Sequence, residues 1–159
     1  MDPLIWICIA IGLAVGIPGF MSALAVGTAG VAAAGITSEQ PERFGNLFVL
    51  QILPGTQGFY GFIAGVLIMI GTGILGGGAR ALEGLPENIG IIAFAASIPA
   101  ILQGFTAFGQ SKVASACCGT IAERPETFGN CVVYTVMPET YAILGFLASF
   151  LVMISVGVF

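Results

Sequence analysis

A single carboxylate, Glu139, lies inside an apolar run that begins near Phe128 and continues to Phe159. Counted from the nearest polar residues it is ~13 residues deep, or ~20 Å along a helix rising ~1.5 Å per residue. An ionised carboxylate in hydrocarbon costs at least about 2.5–3.5 kcal/mol, so it needs a partner or a proton. Thr56 and Gln57 lie ~15 residues into an earlier apolar run, and Gln110 ~11 residues from the end of another, all within ~16–23 Å of one membrane face. Each side chain alone is a plausible hydrogen bond between packed helices. At one level with a lone acid, they also make a set of hard oxygen donors suited to a small hard cation. Sodium in membrane carriers takes such donors together with carbonyls of unwound helix. Leu53-Pro54-Gly55 predicts a place of that kind, because proline removes a helical hydrogen bond and glycine loosens the turn. Tyr60, one turn beyond Thr56, needs a partner for a mid-membrane hydroxyl, and Glu139 is within its reach. Lys112 is expected to snorkel or pair toward the nearer loop.

The spans that must position these residues follow from where charge is missing. Residues 3–38, 44–79, 88–111 and 140–159 carry no charge, and only 8% of the chain is charged. Ordinary domains carry about a quarter charged residues. A membrane-crossing helix needs about 20 apolar residues, and each run supplies them. The fold class is therefore all-α and membrane-embedded, with four spans and polar connections at 37–43, 80–87 and 123–126. The first span has no basic region before it and a long apolar run, so it is expected to remain in the membrane rather than act as a cleaved signal.

Laying residues 40–70 on 124–154 brings Pro41, Glu42, Phe44, Gly45 and Asn46 onto Pro125, Glu126, Phe128, Gly129 and Asn130. Pro54 and Thr56 then fall on Pro138 and Thr140, and Gly61-Phe62 on Gly145-Phe146. The agreement far exceeds what biased composition gives, so the chain reads as a tandem duplication, 1–79 and 80–159, of one helical hairpin. Gly55 occupies the position of Glu139, so only the second hairpin carries an acid.

The first span places Gly12, Gly16, Gly19, Ala23, Gly27, Gly30 and Ala34 at steps of three and four, along one helix face. The third does likewise with Ala93, Ala96, Ala100, Gly104, Ala107, Ser111, Ala114 and Cys118. Small stripes let helix backbones approach closely in a membrane. They suit packing within one chain, and they suit better a ring with spans 1 and 3 inside and bulkier spans 2 and 4 facing lipid.

The rest of the sequence is mostly excluding. There is no histidine and no G-x-x-x-x-G-K-[ST], so triad chemistry through histidine and ATP binding by that loop are not expected. Cys8, Cys117, Cys118 and Cys131 lack metal-site spacing and read as soft packing residues. A net charge of −4 on short loops indicates no nucleic-acid partner.

The strings LPGTQGFYGF at 53–62, QSKVA at 110–114 and ETYAILGF at 139–146 resemble the duplicated proteolipid of V-type ATPases, the K or c subunit, most closely its bacterial sodium-translocating branch. The resemblance covers the whole chain. It implies sodium ligands at Leu53 (backbone carbonyl), Thr56, Gln57, Gln110 and Glu139, with Tyr60 hydrogen-bonded to the glutamate. Proton-carrying relatives generally keep the acid without this Thr-Gln pair. Pro138 departs from the pattern and is expected to bend the fourth span. The resemblance further implies a ring of identical subunits in lipid and no catalytic chemistry in this chain. The ring would turn against a stator membrane subunit with a cationic residue, while central-stalk subunits meet the cytoplasmic loops and a separate head hydrolyses ATP. Loops 1 and 3 would be cytoplasmic in the cell membrane of a bacterium or archaeon. Arg43 and Arg124 inside against Arg80 outside agree with the positive-inside rule.

Two other functions share these residues. A proton-carrying ring would titrate Glu139 and use the glutamines only as hydrogen-bonding groups. A small secondary transporter would use Glu139 as its coupling acid, but needs a polar path this sequence lacks.

Overall fold

The computed structural model describes residues 2–158. Four long helices account for nearly all of them. The first, α1, runs Pro3–Glu39 and begins where Asp2 Oδ1 accepts the backbone N–H of Leu4 at 2.8 Å. This satisfies one of the amides every helix start leaves unpaired. Helix α2 runs through Phe44–Ile52, a 3-10 turn at Leu53–Gly55, and Thr56–Gly71. Helix α3 is built the same way, from Ile89–Leu102, a 3-10 turn at Gln103–Phe105, and Thr106–Glu123. Helix α4 is continuous from Phe128 to Ser155, with Pro138 inside it. All four are long and apolar enough to cross a membrane.

The second apolar run is shorter as a helix than its lack of charge predicts. Helix α2 ends at Gly71, where Thr72 Oγ1 bonds back to the Ile68 carbonyl, and Gly73, Gly76 and Gly78 all take positive φ. Only glycine adopts that region freely, so the run cannot propagate a right-handed helix. The second connection therefore starts near residue 72 rather than at Arg80, and the expected division at 79/80 falls inside the 3-10 turn Gly78–Leu82.

Helix α1 packs on α2 and α3, and α4 packs on α3 and α2. The apolar core forms two clusters. One gathers Ile7, Ala10, Ala14, Ile68, Ala93 and Met153, and is closed by the chain end. There Gly157, at positive φ, lets the Val158 N–H reach back to the Met153 carbonyl at 3.0 Å, a helix-ending motif that buries Val158. The other cluster gathers Ala29, Ala33, Leu47, Leu50, Ala114, Cys117, Cys118, Ile121 and Cys131. Cys117, Cys118 and Cys131 thus pack as expected, whereas Cys8 is exposed. Between the clusters lies a band of buried polar groups that includes Ser22, Gln57, Gln103, Gln110 and Glu139.

The small-residue stripes divide. All eight residues of the α3 stripe are buried inside the chain. The α1 stripe is not: Gly12, Gly16 and Gly27 are exposed, and a Cβ at any of them would meet nothing within 4 Å. The face α1 turns inward is the adjoining row Ala10, Ala14, Pro18, Ser22, Ala25, Ala29 and Ala33. Helix α1 is small-sided on two neighbouring faces, which spacing alone merges into one.

Candidate functional site

The three helices that carry the predicted side chains bring them together. Tyr60 Oη donates to Glu139 Oε1 at 2.7 Å, and Gln110 Nε2 faces Glu139 Oε2 at 3.4 Å. Gln57 Nε2 donates to Gln110 Oε1 at 2.6 Å. Thr56 Oγ1 bonds the Leu53 carbonyl at 3.1 Å and lies 3.5 Å from Gln57 Oε1. Gln57 and Gln110 are fully buried and Glu139 is 9% exposed. Amide orientation follows from the carboxylate. Its acceptor oxygens turn the Gln110 nitrogen toward Glu139, which turns the Gln110 oxygen toward Gln57 and requires Gln57 to present its nitrogen. The result is two lines of hydrogen bonds, one from Tyr60 and one from Gln57 through Gln110, that end on the two oxygens of Glu139.

Helix α2 reaches this arrangement by tightening rather than by unwinding. Leu53 keeps helical dihedrals, at φ −52° and ψ −44°, and the Thr56 N–H closes on the Leu53 carbonyl. Proline 54 lacks the N–H that would bond Leu50, and a three-residue turn replaces the lost four-residue one. The Leu53 carbonyl is therefore not freed, contrary to the loosening expected at Leu53-Pro54-Gly55. Pro138 likewise sits within an uninterrupted α4. Lys112 does not extend toward the loop: its Nζ lies 4.2 Å from the centre of the Phe108 ring, one turn farther from that loop. Helical side chains lean toward the N-terminus, and the aromatic face attracts the ammonium.

Sequence reasoning missed two members of the polar band. Ser22 Oγ accepts the Gly58 N–H at 2.8 Å, tying α1 to α2 just past the 3-10 turn. Gln103 Nε2 donates to the Gln57 carbonyl at 3.0 Å, while Gln103 Oε1 is buried without a described partner. The signal that could have found Gln103 was its spacing, two helical turns before Gln110 in an otherwise apolar run.

Four apolar helices and a mid-depth acid held by neutral donors from α2 and α3 define an integral membrane protein with one buried polar centre. The family model for the ATP synthase C subunit matches this chain twice, over residues 9–68 and 94–152. The chain belongs to the ATP synthase C-subunit family. Among its relatives is the A-type ATP synthase subunit K of Methanocaldococcus jannaschii, 39% identical over 156 residues, which cover 98% of this chain and 65% of the relative. Another is the V-type sodium ATPase subunit K of Enterococcus hirae, 43% identical over 138 residues, 86% of this chain and 83% of the relative. The chain thus spans just under two thirds of the first relative's length.

Proposed function

We propose that this chain is the ion-carrying subunit of the rotor ring of a V-type ATPase, and that the ion is sodium. The observation that carries the reading is the convergence of Gln57, Gln110 and Tyr60 on Glu139 at mid-depth. The chain itself performs no bond chemistry. Its ligands are Thr56, Gln57, Gln110, Glu139 and the Leu53 carbonyl, which takes part once the Thr56 hydroxyl turns from it to the ion, and Tyr60 steadies the carboxylate. A sodium ion and an ionised Glu139 sum to zero charge, so a loaded site passes lipid cheaply whereas an empty ionised one does not. That asymmetry restricts unloading to a place where a stator subunit offers a compensating cation.

The partners follow from the same reading. Identical subunits close a ring, and the exposed glycine row of α1 supports close approach of a neighbouring helix on the inner circle. A stator membrane subunit and central-stalk subunits at loops 1 and 3 complete the machine, in the cell membrane of a bacterium or archaeon. The two hairpins, 1–79 and 80–159, are a duplicated unit of which only the second retains its acid.

The sodium ATPase named among the relatives and the Thr56-Gln57 pair favour sodium. The alternative is a proton carried on Glu139, with the glutamines serving only as hydrogen-bonding groups. Carbodiimide separates the two, because it attacks the protonated acid. Labelling of Glu139 should fall as sodium rises at fixed pH, and lower pH should demand more sodium. Potassium should protect far less. Labelling indifferent to sodium would overturn the sodium reading.

A further inference from the structure

The contact between the two halves of the chain is a template for a contact between chains. Leu50 lies on the segment of α2 that packs against α3 and α4, and it is fully buried with Ala114, Cys117, Cys118 and Cys131. Aligning the halves puts Tyr134 of α4 in the place of Leu50. Tyr134 is 63% exposed, and its hydroxyl has no partner among the described residues. The same alignment finds a counterpart for the surroundings of Leu50. A groove of about 670 Å³ opens between α1 and α2, and Gly27, Gly30, Ala34, Leu47 and Gln51 are in its lining. Their counterparts, Ser111, Ala114, Cys118, Cys131 and Thr135, are all buried inside the chain. One flank of the chain thus repeats the groove and the other repeats the side chain that fills it. Two copies set side by side, in the same order as their own halves, bring Tyr134 of one to the groove of the next.

Polar atoms make this match more than one of shape. Gln51 crosses the groove over Gly30, where a Cβ would lie 2.7 Å from Gln51 Nε2. Its amide has no hydrogen-bond partner among the described residues, whereas its counterpart Thr135 bonds the Cys131 carbonyl at 2.8 Å. Gln51 lies eight residues past Arg43, and Tyr134 lies seven past Thr127, the counterpart of Arg43. The two therefore stand within about 1.5 Å of one level. We propose that Tyr134 anchors one copy of this chain to the next, seated in the α1–α2 groove with its hydroxyl hydrogen-bonded to the Gln51 amide. An amide offers both a donor and an acceptor to a phenol. Tyrosine joins a large apolar face to a polar tip, which is what such a seat requires. Leu50 suffices inside the chain, because Thr135 is satisfied by its own helix. A lipid chain fills the groove by shape but leaves the amide and the phenol unpaired in hydrocarbon, at a cost.

The anchor rests on the ring reading, and its test separates the two. Chains carrying Gln51→Cys and Tyr134→Cys, with Cys8→Ala to remove the exposed native thiol, are assembled and treated with a short bis-maleimide. Copies should be joined into a ladder on a denaturing gel, and either new cysteine alone should give none. Tyr134→Phe and Gln51→Leu should each shorten the lifetime of the ring in dissociating detergent about fivefold, the worth of one hydrogen bond. Together they should cost no more than either alone, since both remove the same bond. An assembled ring without the ladder, as a lipid-filled groove would give, overturns the anchor and leaves the ring standing. Additive losses do the same. A wild-type chain that forms no ring overturns both. Should the cysteine variants fail to assemble, a lipid-soluble carbene reagent decides on the wild type. It should label Tyr134 in the dissociated chain and spare it in the ring, and labelling in both ends the proposal.

Discussion

The two donors at the carboxylate are unequal. Tyr60 is at hydrogen-bond distance from Glu139 at 2.7 Å, while Gln110 at 3.4 Å is at the edge of it. Tyr60→Phe removes the shorter bond but no ligand, and one hydrogen bond is worth about 1 kcal/mol net, or about fivefold in affinity. Sodium binding should weaken by about that much, with assembly intact. Gln110→Leu and Thr56→Val each remove a proposed ligand oxygen and should weaken binding more than Tyr60→Phe does. Glu139→Gln should abolish transport and rotor-coupled ATPase activity in an assembled ring. If Gln110→Leu and Thr56→Val dissolve the ring while sodium affinity stays unchanged, those side chains are packing contacts. Depth along a helix made this set visible in the sequence, because spacing in residues converts directly to distance in Å and an acid in hydrocarbon has few permitted roles. Gln103 stayed out of sight for the same reason: it lies about one and a half turns deeper than Glu139. Only the fold shows that it touches the neighbouring helix at Gln57.

Among the helices, Pro18 of α1 is a point of close approach to both α2 and α3. A Cβ on Gly104 of α3 would come within 2.6 Å of the Pro18 Cα, and one on Gly61 of α2 within 2.7 Å of the Pro18 Cβ. Three backbones meet there, on the polar band, and glycine is what lets them. Gly104→Ala should therefore destabilise the protein by about 1–3 kcal/mol, the usual cost of overfilling a packed site. The fluorescence of Trp6, the single tryptophan, which lies 5.4 Å from Phe94, follows unfolding in detergent. The exposed row should behave oppositely. Gly16→Ala touches nothing in the chain, so the isolated protein should unfold as before or slightly later, since alanine favours helix over glycine. Loss of ring assembly in Gly16→Ala would identify that row as a seam between copies, whereas unchanged assembly would mean that it faces lipid. Helix count and span positions were legible from missing charge and apolar length. The inward face of α1 was not, because its glycine and alanine rows have similar side-chain volumes and only tertiary contact distinguishes them. Nor was the end of α2, since apolar glycine counts toward a span by hydropathy while breaking the helix by conformation.

For the molecule as a whole, duplication sets how many ions each chain carries. Thr140 Oγ1 bonds the Met137 carbonyl at 2.7 Å, just as Thr56 bonds Leu53, so the hydroxyl of a site persists in the second hairpin's own helix, though without the 3-10 turn. The other members of the corresponding site have been replaced. Gly55 stands for the acid, and a Cβ there would lie 3.3 Å from Val26, an apolar side chain of α1. Tyr141 stands where Gln57 does in the first half and is 67% exposed, and Leu144 stands where Tyr60 does. Nothing at that position balances a cation, and a cation without a counter-charge at mid-membrane is disfavoured. Thr56 and Gln57 are then free to serve the single Glu139, and each chain should bind one ion per four spans. Compared with a ring of single hairpins each bearing an acid, such a ring moves half as many ions per turn. Each ATP then drives fewer ions against a steeper gradient, which suits a pump better than a synthase. Counting radioactive sodium at saturation per purified chain tests the claim, with Glu139→Gln as the blank. A value near one supports it. A value near two in the wild type, with one ion surviving in Glu139→Gln, would mean that the first hairpin holds an ion without a carboxylate of its own.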